Sequence, residues 1–203
     1  YTPTHTLSLH DALPICAAVD SALARTRTAA GLNAGASQLD AALATGEPLA
    51  APATTLAGLA TGALDDDERA ALEAAREVVA AHGDGVASVT RLQRSLADLR
   101  PELIAAVTPD EGDGGVADTL LDSFNLRARG ESAEVAGALD DMAGALERGD
   151  VAGAVSAARA LPADARAVLA PWLDAARAHA AVAAARDDLL NLGRELAAAA
   201  GGS

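Results

Sequence analysis

Leucine and valine recur at three- and four-residue steps through almost the whole chain, and alanine fills most of the positions between them. That rhythm is the period of an α-helix, and the alternation of polar and apolar residues that marks a half-buried strand is absent. The run Val89, Leu92, Leu96, Leu99 shows it most clearly, set opposite Arg91, Arg94 and Asp98. Alanine is the strongest helix former yet brings little side-chain volume, and aromatic residues make up only 1% of the chain. Such a chain can bury apolar area only by bringing helices close together. The fold class follows: all-α, a helical bundle of short antiparallel Ala- and Leu-rich helices with no sheet.

The start of the chain has a different origin. Tyr1 to Ile15 reads YTPTHTLSLHDALPI, and the run TLSLHDALPI back-translates without interruption to ACT CTT TCC CTA CAC GAC GCT CTT CCG ATC. That is the end of a common short-read sequencing adapter, whose one further T begins the codon of Cys16. Residues 1–16 are therefore read as an adapter-derived artefact and Ala17 as the first residue of the gene. The natural N-terminus, with any anchor or signal it carries, is expected upstream.

Charge and composition exclude several functions. Formal net charge is -14, of which the adapter segment supplies only Asp11, and so acidic a surface argues against nucleic acid as a partner. All 15 basic residues are arginine, which fits a GC-rich bacterial genome. With Cys16 at the junction, neither a disulfide framework nor a cysteine-based metal site is expected. No stretch approaches the roughly 20 apolar residues that span a bilayer. No glycine-rich phosphate loop, HExxH or GxSxG motif occurs. His82 and His179 read as a helix-end residue and a partly exposed helical residue, and the acidic clusters as helix caps or solvated faces. The expectation is a protein without enzymatic activity, cofactor or metal.

The breaks organise the chain into regions 17–107 and 116–203, joined by a linker at 108–115 (TPDEGDGG). In the first, Gly31 and Gly35 are expected to interrupt an opening helix that ends before Gly46. A helix carrying Leu49, Leu56 and Leu59 follows, then one capped by the acidic run Asp65 to Asp67. The next covers Val86 to Arg100, and Pro101 restarts a short helix. In the second region, an amphipathic helix at 116–129 stops at Gly130. The stripe Val135, Leu139, Met142, Leu146 then leads into a tight turn at Arg148-Gly149-Asp150. Leu161-Pro162 ends its partner, and a long final helix kinks or restarts at Pro171.

Two features rise above a plain core. Segment 116–129 gathers Leu120, Leu121 and Phe124 on one helical face, with Leu126, Arg127 and Arg129 towards its end and Asp118 and Asp122 among them. Such a helix either packs into the core or offers a lipid- or partner-binding face. Trp172, the single tryptophan, is either a core residue or an interface anchor.

The order of pieces in LLDSFNLRARGES, GALERGDVAGAVSAARALP and APWLDAARAHAAVAAARDDL resembles the C-terminal region of the mitofilin family of alphaproteobacteria. The stretch Leu39 to Arg100 is similar to the helical region that precedes it. The resemblance implies a membrane-organising scaffold of the bacterial inner membrane, anchored by an upstream helix, with a coiled coil and this part in the periplasm. It implies membrane lipid and protein partners, the outer-membrane assembly machinery among them, and a homo-oligomer in the full-length protein. Carried onto this chain, the lipid- or partner-binding residues would be Leu120, Leu121, Phe124, Leu126, Arg127 and Arg129. The alternative is a soluble helical-repeat module, because Leu146 to Arg177 also resembles one tetratricopeptide-type hairpin, although no second copy recurs at about 34 residues.

Overall fold

The computed structural model describes the backbone of residues 9–106 and 118–201, and the side chains of 16–106 and 133–201. Seven α-helices and no strand occur among the described residues: α1 (Leu9–Thr45), α2 (Ala50–Ala57), α3 (Asp66–Ala81), α4 (Val89–Ala105), α5 (Asp118–Glu147), α6 (Val151–Ala157) and α7 (Ala163–Gly201), with a single 3₁₀ turn at Ala158–Ala160. The protein is all-α, as the periodicity requires.

Local chemistry sets most of the helix ends. Asp65 caps α3 by accepting from the Glu68 N–H at 2.8 Å, and the Glu68 carboxylate accepts the Asp65 N–H in return, a closed capping box. Ser88 caps α4 through the N–H of Arg91. Between α5 and α6, Gly149 takes a φ of 74°, a left-handed conformation that a side chain would strain, and Asp150 accepts the Gly153 N–H at 2.7 Å. This is the tight turn with an acidic cap that the sequence predicts.

Five expected interruptions do not end a helix. α1 passes straight through Gly31 and Gly35, which instead let α2 and the loop after it come close. A Cβ on Gly35 would lie 2.7 Å from Cδ2 of Leu56, and one on Gly31 would collide with Leu59. α4 continues through Pro101, because the hydrogen bond lost there is offset by burying Leu103 in the final turn. α5 continues through Gly130, where a single glycine costs only about 1 kcal/mol against alanine. α7 continues through Pro171, with Leu169, Trp172 and Leu173 buried on either side.

The chain divides into two compact units, and the division does not follow the sequence order. The first comprises Tyr1–Ala42, Glu47–Gly85 and Val182–Ser203, so that α1, α2 and α3 share a core with the second half of α7. Leu32, Leu39, Leu56, Leu72 and Val79 are buried in it, as are Val182, Leu189 and Leu196. The second comprises Leu43–Gly46 and Val86–Ala181. Its core joins Leu92, Leu96 and Leu103 of α4 to Val135, Leu139, Met142 and Leu146 of α5, Val151 and Ala154 of α6, and Leu169 and Trp172 of α7. α4, assigned by the sequence to the region before the 108–115 linker, thus packs with the helices after it. The linker itself lies outside the described residues.

Candidate functional site

The amphipathic segment singled out by the sequence forms the first half of α5. The helix is continuous from Asp118 to Glu147, but the side chains of Leu120, Leu121, Phe124, Leu126, Arg127 and Arg129 lie outside the described residues. The second half of the same helix is fixed firmly. Val135, Leu139, Met142 and Leu146 are all buried, four apolar residues at three- and four-residue steps in the second unit's core.

Polar bonds set the register of α5 against α4. The Gln93 amide donates to the Leu146 carbonyl at 3.1 Å, and Arg100 pairs with Asp140 at 2.8 Å. Each step towards the C-terminus of α4 is therefore a step back along α5, and Ala105, the last residue of α4, falls at the level of Val135. The stretch Asp118–Ser132 runs past that point by about 22 Å, at 1.5 Å per residue. Among the described residues, the side chains that α5 contributes to this core come from its C-terminal half.

The residues of that core include the one tryptophan. Trp172 is 3% exposed, and its indole N–H donates to the carbonyl of Leu92 at 2.9 Å, so it is placed in the core as a tie between α7 and α4 rather than on a surface. Two turns further along α7, His179 is 5% exposed, with Nδ1 at 2.9 Å from the Ala87 carbonyl. The expectation of a partly exposed His179 is corrected: alanine on both sides of it lets the backbone before α4 approach, and that carbonyl takes the ring N–H. The spacing of Trp172 and His179, two turns apart on one helix, was the available signal. Gln93 and Arg100 carried none, because both look like solvated helix positions.

Between α4 and α5 lies a groove of about 320 Å³, lined by Leu96, Ala97, Leu139, Ala143 and Leu146, with Gln93, Arg100 and Glu147 along its edges. It is apolar at the base, and the small Ala97 and Ala143 leave it open. Among the described residues no group of three or more histidine, cysteine or acidic side chains could hold a metal ion, and no helix is long and apolar enough to cross a membrane. Asp65 and Glu68 are consumed by their capping box.

No protein-family model, curated protein or solved structure matches the chain.

Proposed function

We propose that this chain is part of a non-enzymatic membrane-organising scaffold that resembles the inner-membrane mitofilins. In this reading the segment 116–129 lies in the lipid headgroup layer, with Leu120, Leu121, Phe124 and Leu126 supplying apolar area and Arg127 and Arg129 meeting anionic headgroups. The observation that supports it is α5 itself: one uninterrupted helix whose second half is rooted in a core and whose first half carries the amphipathic sequence. A rooted helix resists being pulled free, so insertion is felt by the whole domain. Localisation follows the same proposal: bacterial inner membrane, with this part in the periplasm and protein partners on the outer-membrane side. Each insertion is weak, so several copies acting together would be needed to bend a bilayer.

Vesicle co-sedimentation of the full chain with anionic liposomes tests it. Wild type is expected to pellet with vesicles and Phe124→Asp to stay in the supernatant with unchanged helicity; equal pelleting of the two sinks the wedge. The second reading, a soluble interaction module, is favoured by the groove between α4 and α5, which suits a short apolar helix. A chain indifferent to lipid of every composition would support it.

A further inference from the structure

The N-terminal half of α1 carries a surface of another kind. Residues 16–21 are exposed on every side of the helix, and Val19 and Leu23, at 59% and 44% exposure, are the large hydrophobic residues left in solvent among the described residues. They are one turn apart on one face, and the same face continues with Thr26. Flanking it on one side are Asp20 and Arg27, both exposed, of opposite charge and two turns apart.

That pattern is self-complementary in only one orientation. In an antiparallel pair of identical helices related by a two-fold axis, a residue on one flank meets the residues of the same flank on its partner. Asp20 of one copy then comes level with Arg27 of the other, and the reverse pair forms at the other end. The same alignment sets Leu23 beside Leu23 of the second copy, with Val19 near its Thr26. In a parallel pair each flank faces the opposite flank of the partner, so Asp20 of one copy and Arg27 of the other lie on opposite sides of the seam and form no ion pair. We infer that the exposed face of α1 around Leu23 is a self-association surface, at which two copies of this chain pair antiparallel through Val19 and Leu23 between two Asp20–Arg27 ion pairs. The surface is small, so the dimer is weak and concentration-dependent, and its ion pairs are partly screened by salt. It lies on a different helix from the lipid-binding segment and does not depend on that reading.

Sedimentation velocity of the full chain over a concentration series is the test. Wild type is expected to move from monomer to dimer mass, Leu23→Asp to remain monomeric with unchanged helicity, and Arg27→Glu to weaken the dimer at least several-fold. The double swap Asp20→Arg with Arg27→Glu should restore it, since it rebuilds both ion pairs with signs reversed. Orientation is read separately on a Cys16→Ser background: Leu23→Cys should cross-link on mild oxidation, whereas Ala17→Cys, far from its symmetry mate in an antiparallel pair, should not. A wild type monomeric throughout, a Leu23→Asp variant that still dimerises, a swap that fails to restore, or ready cross-linking at position 17 would each overturn the inference.

Discussion

At the residue scale, two glycines that look alike in the sequence have different jobs. Both interrupt the apolar rhythm of α1, and on pattern alone both read as breaks. In the fold each marks a close approach, but the neighbours differ in how far they can yield. Leu59, over Gly31, is half-buried in the loop after α2, so its side chain can swing away from an added methyl group. Leu56, over Gly35, is 1% exposed and has nowhere to go. Alanine gains about 1 kcal/mol over glycine in a helix interior, and overpacking a core costs about 1–3 kcal/mol. Gly31→Ala is therefore expected to leave the melting temperature near that of wild type, and Gly35→Ala to lower it; equal shifts in thermal unfolding would contradict this account. Trp172 offers a second residue-level test. Trp172→Phe keeps most of the apolar volume but removes the indole N–H bond to the Leu92 carbonyl, which still accepts from the Ser95 hydroxyl, and chemical denaturation should show a loss of about 0.5–1.5 kcal/mol.

At the element scale, the helices were legible in the sequence and several of their ends were not. Positive signals worked: the acidic start of α3, the Gly149-Asp150 turn and the Leu161-Pro162 stop each correspond to a hydrogen bond or a backbone conformation that the residue types demand. Negative signals failed, because a glycine or proline inside a helix costs a fixed amount that packing can exceed. Leu103 beyond Pro101 and Trp172 beyond Pro171 are buried deeply enough to carry their helices through. Composition hides this, since it shows what a residue costs but not what its neighbours gain. Asp65→Ala is the matching test of a positive signal. It removes one half of the capping box, and urea unfolding should show a loss of about 1 kcal/mol, with Asp65→Asn losing less because its amide oxygen still accepts from Glu68.

At the scale of the whole molecule, what escaped the sequence is the partnership of distant segments. The candidate segment in α5 and the core stripe behind it could be read from spacing, whereas the grouping of α1 to α3 with the second half of α7 could not, because alanine-rich helices carry few marks of their neighbours. One mark exists in hindsight. Arg186 of α7 bonds to Asp40 of α1 at 2.7 Å across 146 residues of sequence, and also to the adjacent Asp187. Burial alone would lower the pKa of Arg186, but hydrogen bonds to Asp187 and Asp40, together with their charges, outweigh it, and the folded value lies above the ordinary one. A cation whose folded pKa is raised stabilises the fold fully below its unfolded pKa and loses that contribution only as pH climbs through the folded value. For an arginine that window lies far into the alkaline range, so between about pH 6 and 9 its contribution should be flat. Salt, by contrast, should matter, because the Asp40 side chain is 67% exposed. A double-mutant cycle of Asp40→Ala and Arg186→Ala is expected to give a coupling of about 0.2–1 kcal/mol at low ionic strength, shrinking in 1 M salt and unchanged across that pH range. A coupling of zero would mean that this ion pair adds nothing to the packing of α1 against α7, which also includes the close approach of Gly193 to Asn33.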